Sequence, residues 1–167
     1  TYQLAIYSGD TLRGWENFTT LAADIDPTGA DVIDLRVATS TSDLQTALST
    51  APEGAILLIS HGSEHIIDAP TPINASFTIR AALGFGEQKA RVFMPVNFDL
   101  EANAIIDHLK FVNLELRGSD WSAKYVMNIS QPGTINEVRF DNCLITNHRG
   151  VLRIKTNGVT LNNYIIL

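Results

Sequence analysis

A chain of 167 residues is long enough to bury one sizeable core, and 45% hydrophobic against 18% charged residues make it globular rather than disordered. Its net charge of −6 argues against a nucleic-acid partner, whose phosphates call for a basic surface. No apolar run approaches the roughly 20 residues a transmembrane helix needs, and one cysteine allows neither an internal disulfide nor a cysteine-built metal site.

The chain starts at Thr1 inside an alternating pattern, which reads as a processed or trimmed product; the lack of a leader therefore says nothing about location. Tyr2, Leu4 and Ile6 alternate with smaller or polar neighbours, "SGD" supplies a turn, and a second extended run follows from Leu12 to Thr20. This predicts a β-hairpin over 1–20. A lone hairpin is marginal in water, so it is expected to pack on something, with Trp15 as a packing residue. The segment resembles the last two strands of a fibronectin type III sandwich, with Tyr2 near the start of one and "FTT" closing the other. That resemblance implies a chain beginning partway through a larger protein. Residues 21–40, punctuated by Pro27 and Gly29, read as a linker with room for a short strand over 32–37.

"TSDLQTALSTAPEGA" predicts a helix near 41–51. Ser42 or Thr41 can cap it, and Asp43 suits the positive end of the helix dipole. Leu44, Ala47, Leu48 and Ala51 form one apolar face, and Pro52 and Gly54 stop it. After Gly54, short strand-like runs alternate with Gly, Asn, Asp and Pro, which leaves a sandwich, a barrel or a solenoid.

Internal repetition favours the solenoid. "LKFVNLEL", "VRFDNCLI" and "VTLNNYII" superimpose on Phe111, Phe140 and Leu161, with Asn113, Asn142 and Asn163 two positions later. A fourth copy, "FTIRAAL", puts Ile79 in the apolar column and Ala81 in the Asn position. A second register aligns Met127 and Ile129 with Leu152 and Ile154. Stacked coils need such columns: apolar ones for the core, and Asn where a corner asks for left-handed backbone. The expected fold is all-β, a short right-handed parallel β-helix over 41–167 with an N-terminal capping helix. Its last run, "NNYIIL", would leave an open end for chain continuation or self-association.

The order of helix, "PEGAILLI", "INASFTIRAA", "LEANAIIDHLKFVNLEL" and "VRFDNCLITNHRGVLRIK" is similar to a pectate-lyase-like (pectin-lyase-like) β-helix domain. Such domains occur in secreted or lipid-anchored surface proteins of gut bacteria, often after a fibronectin type III module. The resemblance implies a fold and an extracellular or cell-surface lipoprotein setting more than a reaction.

Two enzyme chemistries belong to that fold. A polysaccharide lyase holds Ca²⁺ with several carboxylates beside a basic residue, and a glycoside hydrolase pairs carboxylates. Here the outward carboxylates are sparse: Asp107, Glu115, Glu137 and Asp141. Asp141, His148 and Arg149 lack a second Asp, and His61, His65 and His108 have no metal-ligand spacing. Cys143, within "NCLI", reads as a small buried hydrophobe rather than a nucleophile. No metal or other cofactor is expected outside the lyase alternative. Arg139, Arg153 and Lys155 point outward as a basic stripe able to meet acidic sugars, with Arg149-Gly150 as a turn. Trp121, in the polar insertion "RGSDWSAKY", is a candidate for stacking on a sugar face. The expectation is a non-catalytic carbohydrate-binding or architectural module whose partner is a polysaccharide. The alternative is a lyase or hydrolase acting on acidic glycans.

Overall fold

The computed structural model describes residues 2–18, 25–84 and 88–167. Two strands open the chain, β1 (Tyr2–Ser8) and β2 (Thr11–Phe18), followed by β3 (Val32–Asp34) and the single helix α1 (Asp43–Thr50). Next come β4 (Ala55–Ile59), β5 (Glu64–Ile66), β6 (Pro72–Ile73), β7 (Phe77–Ala81), β8 (Ala90–Met94) and β9 (Asp99–Leu100). The last five are β10 (Ala104–Val112), β11 (Leu114–Ile129), β12 (Gly133–Asp141), β13 (Leu144–Ile154) and β14 (Val159–Ile166).

Strands β3 to β14 wind into a parallel β-solenoid of about five turns. One face is a six-stranded sheet in the order β14-β12-β10-β7-β4-β3; the second is a four-stranded sheet, β13-β11-β8-β5. The third carries the short pair β6-β9, and Phe98 bridges from it to Met127 in the later part of β11. Strands β11 and β13 are long because each turns a corner without breaking. The stacking sheet already begins at β3, which pairs with β4 ahead of the helix in space.

Stacking in register builds the core. On the first face Leu57, Ile79, Phe111, Phe140 and Ile166 form one inward column. Phe111 and Phe140 lie ring on ring, with centroids 4.9 Å apart at 8°, and Phe77 and Phe98 pack against Phe111. Met127 pairs with Leu152 and Ile129 with Ile154, as the second repeat register predicts. The third repeat is corrected: Leu161 stacks on Ile135 and Asn163 on Glu137, while Ile166 takes the place beneath Phe140. The last coil is longer than the Asn spacing suggested.

Asn113 and Asn142 occupy a corner as predicted, with φ of 60° and 49°. Asn142 Nδ2 donates to Asn113 Oδ1 at 2.9 Å, and Lys89 Nζ donates to both the backbone oxygen and Oδ1 of Asn142. Along the six-stranded sheet, Asn162 Nδ2 on β14 donates to Asn136 Oδ1 on β12 at 2.9 Å. The turn expected at Arg149-Gly150 lies elsewhere. Asn147, with φ of 55°, makes the bend, while Gly150 stays in strand opposite Tyr125. A Cβ at 150 would meet the Tyr125 ring at 3.1 Å, so glycine here makes room for a side chain.

Helix α1 lies over the first coil with Leu44 and Leu48 buried. Its start differs from expectation: the Ser42 hydroxyl makes no cap bond and contacts Ser40 Oγ instead. Asp43 turns its carboxylate backward to accept from the Thr39 and Ser40 amides. Gln45 Oε1 accepts from the Asp68 and Ala69 amides, which ties the cap to the coil below it.

The hairpin forms as predicted, β1 antiparallel to β2, with an irregularity between Ile6 and Tyr7. Its apolar side chains are not packed: Leu4, Ile6, Tyr7 and Leu12 are about half exposed or more, and Trp15 is 58% exposed. Thr1, the predicted strand end at Thr19-Thr20 and the start of the linker at 21–24 lie outside the described residues.

Candidate functional site

Side chains of mixed chemistry gather on the outer face of the four-stranded sheet. Alternation sends His65, Val92, Leu116 and Ile145 inward in one column. That leaves two outward columns: Glu64, Arg91, Glu115 and Leu144, and beside it Ile66, Phe93, Arg117 and Thr146. From these columns Glu64, Ile66, Arg91, Phe93 and Arg117 border an open groove of about 480 Å³ whose lining also includes Thr41 at the cap and Gly118, Ser119 and Asn147 at the opposite end.

The first outward column is electrically satisfied. Arg91 Nη1 bonds Glu64 Oε1 at 2.7 Å and Arg91 Nε bonds Glu115 Oε2 at 2.9 Å. The Glu115 hydrogen bond, together with the charge of that carboxylate, holds the Arg91 guanidinium even more basic than usual. Glu115 also accepts from Thr146 Oγ1 at 3.3 Å. Arg117, by contrast, is exposed in the groove beside half-buried Phe93. The floor thus offers one aromatic face, one accessible guanidinium and a paired ladder in which Arg91 is shared by two carboxylates.

Beyond Arg117 the strand leaves its register twice, between Arg117 and Asp120 and between Asp120 and Tyr125. The residues displaced there make an outward excursion. Asp120 shapes it by accepting from the Ser122 amide and hydroxyl at 2.7 Å each, bonds that hold its carboxyl below the usual range. Trp121 rides on this excursion and is 72% exposed, as its polar setting predicts. Gly118 at its base is required: a Cβ there would fall 2.4 Å from the Asn147 oxygen and 2.8 Å from His148 Nδ1.

The three basic residues read from the sequence point outward, yet they occupy different faces. Arg139 is on the six-stranded sheet, where its Nε bonds Asp141 Oδ2 at 2.8 Å. Arg153 is near the end of β13, its guanidinium carbon 5.6 Å from the centre of the Tyr125 ring. Lys155 follows it, exposed, with its amide bonded to the Ile129 oxygen. The structure brings Arg153 and Lys155 together and leaves Arg139 apart. Next to Trp121, Arg149 Nη1 donates to the Ser122 oxygen at 3.4 Å.

Each of the sparse outward carboxylates has a local partner. Asp107 bonds His108 Nδ1 at 3.1 Å and Glu137 pairs with Lys110 at 3.2 Å, while Arg139 and Arg91 hold Asp141 and Glu115. Among the described residues no three His, Cys, Asp or Glu side chains are placed to hold one metal ion. Calcium asks for about six to eight oxygens, so these carboxylates do not fit the ion that the pectate-lyase-like resemblance implies for a lyase. His148 is folded against Gly118 with both ring nitrogens shielded from solvent, and burial holds its pKa down to about 4. Cys143 donates to the Phe111 oxygen at 3.2 Å, and burial pushes its thiol pKa up, the opposite of an activated nucleophile.

The groove residues Glu64, Arg91, Phe93 and Arg117 were not singled out by the sequence. Their signal was present in the three stacked triplets Glu64-His65-Ile66, Arg91-Val92-Phe93 and Glu115-Leu116-Arg117, but it becomes visible only once the register of β5, β8 and β11 is known. Comparison with family models, with curated proteins and with solved structures found no match for the chain. No described helix is long and apolar enough to cross a membrane.

Proposed function

We propose that the chain is a non-catalytic carbohydrate-binding module, and that its ligand lies in the groove on the outer face of the four-stranded sheet. The observation that carries this reading is the groove itself, an open trough in which Phe93 and Ile66 lie beside the accessible Arg117. A sugar presents an apolar C–H face and a rim of hydroxyls. Aromatic surface takes the first, and charged side chains fixed by their neighbours take the second. Trp121, on the excursion that begins next to the groove residue Ser119, supplies a second stacking face. Arg153 and Lys155 form a separate basic patch for an acidic chain that runs past the corner.

The order of sequence motifs supports a right-handed, pectate-lyase-like β-helix within a bacterial surface protein, following a fibronectin type III-like module. A polysaccharide partner fits that setting. Binding is favoured over catalysis because the outward carboxylates Asp107, Glu115, Glu137 and Asp141 are each engaged by a basic neighbour and no two of them share a partner.

The test is calorimetric titration of the chain with neutral and uronate-containing oligosaccharides, alongside an assay for shortened products. Binding is expected with no new chain ends, and Phe93→Ala or Trp121→Ala is expected to weaken it about tenfold, a loss of about 1.4 kcal/mol. Cleavage products, or affinity unchanged in both variants, would overturn the proposal.

A further inference from the structure

Among the described residues two polar side chains are buried, Ser76 and His65, and they are not equally satisfied. Ser76 Oγ accepts from the Asp107 and His108 amides. His65 is 4% exposed and stands at the head of the inward column that continues through Val92 and Leu116. Its Nε2 lies 3.0 Å from Ser63 Oγ, whose own proton goes to the Ser60 oxygen at 2.6 Å. The serine therefore accepts, which puts the imidazole proton on Nε2 and leaves Nδ1 a bare lone pair. Among the described residues Nδ1 has no hydrogen-bond partner, and it is shielded from solvent. A second proton there would place a charge and a new donor where neither water nor an acceptor meets them.

The elements around the ring offer little compensation. Helix α1, which packs on β4 and β5, brings Asp43. The charge of Asp43 favours a protonated ring, but its carboxylate is engaged by the Thr39 and Ser40 amides; burial outweighs it and holds the His65 pKa below the usual histidine value. Strand β8 turns Val92 inward, while its Arg91 stands in the outward column bonded to Glu64. Strand β4 presents Leu57 and Ile59, and the ring of His61 lies against Gly84. Relief for the ring lies instead in the cap. Three bonds hold the cap to the coil beneath it. The Ile66 amide donates to the Thr41 oxygen at 2.8 Å, and the Asp68 and Ala69 amides donate to Gln45 Oε1 at 2.8 and 3.2 Å. All three donors follow His65 directly on the chain, and Leu44 and Leu48 supply the apolar seal. Lifting this one short helix would hydrate the imidazole while the coils stay stacked. Thr41 also lines the groove, so the upper end of the groove moves with the cap.

We propose that the cap is a pH-sensitive latch: protonation of His65 releases α1 from the first coil and opens the upper end of the groove, while the other coils remain folded. The latch acts whatever the groove binds. A histidine with a depressed pKa in the closed state stabilises that state in full above about pH 6.5 and loses this contribution as pH falls. One proton is taken up on opening, so the open fraction rises about tenfold between about pH 7.5 and about pH 5.5. Ordinary carboxylates stay charged throughout that window, so histidines are the side chains that titrate in it.

The experiment is amide hydrogen exchange on the full chain at those two pH values, read by NMR as protection factors so that the pH dependence of intrinsic exchange cancels. The Ile66, Asp68 and Ala69 amides are expected to lose about tenfold in protection at the lower pH. At both values they should be less protected than the amides of Phe111 and Phe140, the mark of a local opening. His65→Gln and His65→Leu should each abolish the loss, the second keeping the site apolar in case glutamine loosens the cap. His148→Gln, on a different coil, should leave it in place. Equal protection of the three amides at both pH values in the wild type overturns the proposal, as does a loss that persists in either His65 variant. Protection matching that of Phe111 and Phe140 overturns it too, since the cap would then open only when the whole chain unfolds.

Discussion

Phe111 and Ile166 stand in one column of the solenoid, yet the first is fully buried and the second is 55% exposed. Both are apolar, both are on strands, and both point inward. What differs is that Phe111 has a coil on each side and Ile166 has one on a single side only. In a stacked fold burial is thus a property of position along the axis, conferred by neighbours, and the two ends of this molecule receive it differently. The upper end is closed by α1, whose Leu44 is fully buried, whereas no described residue covers the lower end.

That contrast can be broken by measurement. Phe111→Ala is expected to cost about 3–5 kcal/mol in urea unfolding, because it empties a site between two coils. Leu44→Ala should cost about 2–3 kcal/mol by opening the cap. For Ile166→Ala the expected loss is less than about 1 kcal/mol. Equal costs at Phe111 and Ile166 would mean that the last coil is covered in solution. At the corners, Asn142→Ala should lose about 1–2 kcal/mol, since alanine must hold left-handed backbone and the bond to Asn113 disappears. Asn163→Ala, exposed on the last strand, should stay within about 0.5 kcal/mol of wild type.

The gentlest contrast is in pH. Burial lowers the pKa of both His65, beneath the cap, and His148, near the lower end; for His148 it falls to about 4. A histidine depressed in the folded state is protonated more readily when unfolded. Its contribution to stability is therefore whole above about pH 6.5 and shrinks as pH falls toward 4. The urea midpoint should decline over that window, and His148→Gln should flatten the decline; partial solvent access at His148 keeps the effect modest. An unaltered slope in the variant would remove His148 from the account.

Much of the architecture was legible because stacking writes itself into sequence. The Ile79, Phe111 and Phe140 column and the Asn113–Asn142 corner followed from like residues recurring at like places. The same logic failed where a local motif repeated by coincidence. "VTLNNYII" matches the other segments in pattern, yet stacking pairs Leu161 with Ile135, because coil length is set by corners that the pattern does not encode. Gly150 looked like a turn, but its freedom serves the Tyr125 ring, and the bend fell to Asn147. The basic residues alternated correctly outward. That Arg139 lies on a different sheet from Arg153 depends on where the chain turns between them. The groove was illegible for the same reason: its residues are adjacent only across coils.

The register of the six-stranded sheet has a consequence for how the chain acquires its shape as it is made. Strand β7 rests on β4, β10 on β7, β12 on β10 and β14 on β12, so each newly emerging strand meets a template that is already complete. No strand of the solenoid has to wait for one synthesised later in order to bury its upper side. Assembly can therefore advance from the helix-capped first turn at the pace of elongation, one turn at a time. On the ribosome, the growing tip is the part that remains open to solvent.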